Sequence, residues 1–153
     1  MIISRTPLRI SFVGGGTDLR SFYNKESGQV LSTSIDKYIY VVVKRQIGIV
    51  EFKYRVNWSK VEFSNRIEDI EHPIVRKALE LMEIDFPIEI TTFADIPGST
   101  GLGSSSAFTV GLLHALYALK GQMVTKHTLA CQAATIEVDL LKRTMGKQDH
   151  FAS

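Results

Sequence analysis

Apolar residues alternate with polar ones through the first third of the chain and later shift to helical spacing. Ile10, Phe12 and Val13 close a first extended segment, which Gly14, Gly15 and Gly16 end abruptly. Residues 30–35 and 38–45 predict two further strands, the second rich in β-branched and aromatic side chains. Weaker strand patterns cover 50–54 and 61–63. Ile74, Leu79, Leu81 and Met82 then follow Pro73, a residue suited to a first helical turn. Residues 87–93 return to a strand pattern, and a loop over 94–103 leads into a long helix over 104–120, stopped by Gly121. Residues 125–141 predict an amphipathic helix with Leu129, Ala133, Ile136 and Leu140 on one face. Strands first and helices later imply an α+β two-layer domain. No repeat, linker or shift in composition divides it, so residues 1–153 read as one domain.

The composition excludes several classes. With 44% apolar and 22% charged residues, the chain is neither a disordered tail nor a fibre. Eighteen Lys and Arg against sixteen Asp and Glu leave +2, without the basic excess of a nucleic-acid or membrane-surface binder. The longest apolar run, 107–119, contains His114 and is shorter than the roughly 20 residues a membrane span needs. Arg5 and Arg9 interrupt any N-terminal signal core. Cys131 is the only cysteine, which fits a reducing cytosol. The expectation is a soluble, cytoplasmic protein with no nucleic-acid or membrane partner.

The most informative stretch runs Pro97, Gly98, Ser99, Thr100, Gly101, Leu102, Gly103, Ser104, Ser105, Ser106. Its glycines permit close approach of a ligand, and it feeds a helix N-terminus, where free N–H groups favour an anion. Its serines can cap the helix or coordinate a magnesium ion held by phosphates. Two readings stay open, a phosphate cradle and a flexible loop ending in a serine cap. Gly98 to Ser105 has Walker A spacing, but Ser104 stands where that loop needs lysine, which rejects a P-loop fold.

Two acidic residues follow. Glu137 shares a helical face with Ala130, Ala133, Ala134 and Leu141, so it lies at the edge of the buried stripe or requires a cationic partner. Asp139 points elsewhere, toward solvent. Asp149, in GKQDHFAS beyond the helix, has the pattern of a turn residue.

The loop resembles the nucleotide-binding signature of the GHMP kinases, through Pro97, Gly101, Leu102, Gly103, Ser104 and Ser105. The opening TPLRISFVGGGTDL resembles that family's first motif, and with Ile35-Asp36-Lys37-Tyr38, GLGSSS and IEVD…GKQD it is similar to the branch of heptose 7-phosphate kinases and fucokinase-type sugar kinases. The resemblance implies an ATP-dependent sugar kinase using Mg²⁺. Pro97 to Ser106 would bind nucleotide, and Ser105 and Glu137 would hold the metal. Asp149 would receive the acceptor's proton. Arg9 would lie beside that aspartate, steadying charge on the phosphoryl group or on the carboxylate. Gly14, Gly15, Gly16, Thr17 and Asp18 would contact the sugar, and the three glycines argue against galactose.

The residues alone also allow an edge-strand role for Arg9 and a helix N-cap role for Asp18 ahead of residues 19–23. The chain departs from the family at Arg143, Thr144 and Met145, where an acidic residue and proline are expected, and at His150 and Phe151. Those positions flank the acceptor site, so the resemblance defines the reaction better than the sugar. It also implies an N-terminal domain whose C-terminal partner domain is absent. Weak turnover of the segment alone follows, with exposed apolar surface that predicts aggregation or a homodimer. Trp58 reads as a packing residue, residues 68–71 as a solvated acidic face, and the four histidines lack metal spacing with Cys131.

Overall fold

A computed structural model, describing residues 1–98 and 100–153, gathers the strand-rich regions into one five-stranded sheet. The strands are β1 (Ile2–Val13), β2 (Leu31–Arg45), β3 (Tyr54–Asn57), β4 (Val61–Ser64) and β5 (Ile88–Ala94). Their order is β1-β2-β5-β3-β4, antiparallel except where β3 runs parallel to β5. The helices are α1 (Arg20–Tyr23), α2 (Pro73–Leu81), α3 (Ser104–Leu119), α4 (Lys126–Ala134) and α5 (Gln148–Ala152). This is the expected α+β architecture. Ser99 lies outside the described residues.

Two expected strands are one. The segments expected over 30–35 and 38–45 merge into continuous β2, which begins at Leu31, because Asp36 and Lys37 sit in a bulge rather than a turn. Pro7 pairs with Tyr38 and Arg9 with Ser34, so Leu8 of β1 faces the extra residues Ile35, Asp36 and Lys37. Pro7 is tolerated there because β1 is an edge strand. The segment predicted over 50–54 begins only at Tyr54.

Helix α3 crosses β1 and β2, with α2, α4 and α5 packed around it. Its sequence is apolar on nearly every side, as a buried helix requires. Leu112, Leu113 and Leu116 meet Val41 and Val43 of β2 and Ile88 and Ile90 of β5 in one core. Gly111 allows the close approach: a Cβ there would lie 2.6 Å from Thr6 Oγ1.

The predicted helix over 125–141 changes winding part-way. Thr125 caps α4 through its side chain, but Thr135–Leu140 is π-helical, and Leu141 N–H donates to Ile136 at 2.9 Å. The wider turn shifts the phase, so Ile136 and Glu137 are both buried while Leu140, expected inside, is exposed. Asp149 lies in the first turn of α5 rather than in a loop. No helix among the described residues is long and apolar enough to cross a membrane.

Candidate active site

The bulge that breaks the β1–β2 register also aims Arg9. Ser4, Thr6 and Leu8 alternate inward along β1, and the irregularity after Pro7 buries Arg9 as well. Its backbone N–H donates to the Leu102 carbonyl at 3.1 Å, and its Nη1 to the Gly101 carbonyl at 2.8 Å. Nε and Nη2 both donate to Asp149 Oδ1, at 2.8 and 2.6 Å. One buried guanidinium therefore joins β1, the glycine loop and α5. Gly103, with φ +76°, begins α3 in a left-handed conformation that a side chain would strain, and a Cβ on it would meet the Arg9 side chain at ordinary contact distance.

Among the described residues no side chain caps α3, so Ser104, Ser105 and Ser106 are not spent on capping, and that reading is corrected for them. The first helical bond runs from Ala107 to the Gly103 carbonyl, leaving the N–H groups of Ser104, Ser105 and Ser106 without helical acceptors. Ser104 and Ser105 are partly exposed, whereas the Ser106 side chain is fully buried and its hydroxyl has no partner among the described residues. Pro97, Gly98, Thr100 and Gly101 are exposed, while Leu102 packs on the core.

Glu137 is not an edge residue. Its side chain is wholly buried, and the π turn directs it at α3. Oε1 accepts from Thr109 at 2.8 Å and lies 3.2 Å from His150 Nε2. Oε2 accepts from Ser105 Oγ and, at 2.6 Å, from Arg143 Nη1. Burial opposes the carboxylate's charge, but the bonds from His150, Ser105 and Thr109 outweigh it and hold the carboxyl below its ordinary pKa. Asp139, expected in solvent, pairs with Arg20 at 2.5 Å on a half-exposed surface.

Asp18 does not cap α1. Its Oδ1 accepts from Gly16 N–H at 3.0 Å, and its Oδ2 accepts from Gln148 N–H at 2.9 Å, at the first turn of α5. Thr17 and Asp18 line a cavity of about 330 Å³ with Tyr23, Lys147, Gln148 and Phe151. Gly14 and Gly16, at φ +96° and +98°, shape the turn before it, and Gly15 lies against Gln148. Gly146 is what lets Asp18 reach α5, since a Cβ there would fall 1.8 Å from Asp18 Oδ2. Gly146→Ala is expected to push the Asp18 carboxylate aside and break its bond to Gln148, with a stability loss of about 1–3 kcal/mol. A thermal melt checks it; an unchanged melting temperature removes the Asp18–Gln148 contact from the balance of the fold.

A second cavity, of about 670 Å³, opens over the start of α3. Its lining includes Gly98, Ser104, Ser105, Arg143, Trp58 and His72. Trp58 donates Nε1–H to Glu62 at 2.6 Å and meets His72 edge-on at 4.8 Å between centroids. Burial pushes the His72 imidazole below its ordinary pKa, in keeping with Nδ1 accepting from Val75 N–H at the start of α2. Sequence reasoning missed Trp58 and His72 as parts of the site, and singled out Arg143 and His150 only as departures from the family pattern. The lone tryptophan of the chain was the available signal for the first, whereas His72 is defined by its tertiary neighbours.

Ser105 and Glu137 present two oxygens to one point, and the cation bonded to both, Arg143, shows that the pair attracts positive charge. Such donors fit Mg²⁺, which takes one or two carboxylates and completes its shell with phosphate and water. Among the described residues no group of three or more His, Cys, Asp or Glu converges as a metal site.

The GHMP kinases N terminal domain matches residues 73–153, from α2 through the glycine loop, Glu137 and Asp149. The chain belongs to the GHMP kinase family. A GHMP relative, the D-glycero-alpha-D-manno-heptose 7-phosphate kinase of Campylobacter jejuni, is 30% identical over 161 residues, covering 99% of this chain and 48% of its own. The chain thus spans about half the length of the curated relative it matches. In fold it is similar to a D-glycero-D-manno-heptose 1-phosphate kinase from Bacteroides thetaiotaomicron, with TM-score 0.83, 23% identity, and coverage of 99% of this chain and 53% of that one. Streptococcus pneumoniae phosphomevalonate kinase, in complex with phosphomevalonate and AMPPNP, shares the fold at TM-score 0.77 and 17% identity, covering 98% and 46%.

Proposed function

We propose that the protein is an ATP-dependent sugar kinase that transfers the γ-phosphoryl group to a hydroxyl of a sugar phosphate, with D-glycero-D-manno-heptose 7-phosphate as the acceptor. The observation that carries this reading is the meeting of two polar pairs at one loop. Arg9–Asp149 lies on one side of the Gly101–Gly103 turn, and Ser105–Glu137 at the helix start it feeds.

In this reading the triphosphate lies over Ser104 and Ser105, met by the N–H groups that begin α3. Trp58 and His72 form the wall against the base. Magnesium, held by Ser105 and Glu137, supplies neutralisation of phosphate charge. Asp149 orients the acceptor hydroxyl and takes its proton as the new P–O bond forms and the bond to ADP breaks. Arg9 keeps Asp149 pointed and balances charge beside it. The sugar occupies the cavity bounded by Asp18, Lys147 and Gln148, whose volume suits a small polar ligand. Phe12, Val13 and Leu31 are exposed at the same end of the β1–β2 pair. They form the surface on which a second domain closes, shielding the site from water; a homodimer through that surface is the alternative use.

The test is ADP release from ATP by the whole protein with heptose 7-phosphate, fucose, mannose and galactose. The heptose phosphate is expected to give the highest kcat/KM. Preference for fucose moves the assignment to the fucokinase-type enzymes, and no turnover with any of the four overturns it.

A further inference from the structure

The cation held by Ser105 and Glu137 is part of the chain. Arg143 Nη1 lies 2.6 Å from Ser105 Oγ and 2.6 Å from Glu137 Oε2, so one nitrogen is shared by the two oxygens read above as metal ligands. A divalent ion bonded to those oxygens at about 2.1 Å cannot coexist with a guanidinium N–H on the same two atoms. Their positive charges would also repel at that separation.

The two sides of this contact differ in freedom. Glu137 is fully buried, and Thr109 and His150 hold its other oxygen. The Arg143 side chain is 37% exposed, and it lines the open cavity beside Ser104 and Trp58. It follows Lys142, whose φ of +53° marks the sharp departure of the chain from the π segment. Of the two partners, only Arg143 has somewhere to go.

We propose that Arg143 is a tethered counter-cation, which fills the divalent site of the metal-free protein and swings out toward solvent when the metal binds. This takes Ser105–Glu137 as the metal pair and so rests on the kinase reading. It accounts for a basic residue at a position where the family resemblance leads one to expect an acidic residue or proline. While the metal is away, Arg143 keeps the buried carboxylate paired and the two ligand side chains together. The consequence is a metal affinity lowered by the charge-assisted bonds that must first be broken.

The test is calorimetric titration of the purified protein with Mn²⁺ alone, using wild type, Arg143→Ala, Arg143→Met and Glu137→Gln. Removing the arginine is expected to tighten Mn²⁺ binding by about tenfold, the equilibrium equivalent of one charge-assisted bond. Mn²⁺ is also expected to raise the melting temperature more in Arg143→Ala than in wild type, because the metal-free variant lacks its counter-ion. Arg143→Met keeps the aliphatic stem and carries the same expectation should the alanine variant fail to fold. Equal or weaker Mn²⁺ binding without the arginine overturns this inference while leaving the metal pair intact. No binding in wild type or either arginine variant, or binding that Glu137→Gln leaves unchanged, overturns the metal pair and the proposal with it.

Discussion

Asp149→Asn is expected to lower kcat by about 10² to 10⁴, the usual contribution of a positioned proton acceptor, with the KM for ATP unchanged. Asparagine is the informative substitution because of Arg9. That guanidinium is buried and places both Nε and Nη2 on a single oxygen, Asp149 Oδ1. An asparagine carbonyl oxygen at that position still accepts both bonds, so Arg9 and the glycine loop stay where they are. The second oxygen becomes an amide that cannot take a proton.

Asp149→Ala abolishes the same chemistry but also leaves Arg9 with the Gly101 carbonyl as its remaining side-chain partner. A stability loss of about 1–3 kcal/mol should accompany it, as for any buried donor deprived of its acceptor. The pair of variants thereby separates chemistry from scaffold. Melting temperature and nucleotide affinity of Asp149→Asn should match wild type, and single-turnover kinetics should show the loss in the transfer step. Wild-type kcat in Asp149→Asn removes this residue from the reaction.

The parts of the site legible in the sequence are those whose chemistry is local. Three glycines followed by serines at the start of an apolar helix allow a phosphate cradle or a flexible loop, and the helix over 104–120 was readable from its long apolar run and Gly121. Glu137 was readable as a carboxylate either at the edge of the buried stripe or in need of a partner, because its neighbours at helical spacing are mostly alanines. Which partners it has was not readable. His150 and Arg143 reach it only because the winding loosens at Thr135, and no residue type there marks a π turn.

Arg9 was legible as a family position, yet its burial depends on a bulge between β1 and β2 that alternation alone presents as two strands and a turn. Asp18 meets Gln148 across 130 positions, a closure visible only once α5 is placed. Local grammar therefore supplied the loop and its helix, while the acidic and basic groups that complete the site were set by tertiary geometry.

Glu137→Leu is expected to destabilise the fold by about 3–5 kcal/mol, the range for removing one partner of a buried ion pair. Thr109 and His150 would be left without the oxygen they share, in a region closed to water on that side. Arg143 is less affected, since it can turn to solvent. For a chain of this length the loss corresponds to a melting temperature lower by roughly 10 °C. Glu137→Gln should behave differently. Its carbonyl can occupy the Oε1 position and satisfy Thr109 and His150, leaving the amide toward Ser105, whose hydroxyl can turn to accept. That variant should fold, yet lose divalent-ion binding and most turnover.

The two also differ from wild type with acidity. A carboxyl held below its ordinary pKa in the folded state adds stability above that ordinary value and loses it as pH falls through the lowered one. Wild type should therefore show an acid limb in stability that Glu137→Gln flattens, read by denaturant unfolding across the acid range. A Glu137→Leu variant as stable as wild type would mean that the buried network contributes nothing to the fold, and the carboxylate would then be there for the metal alone.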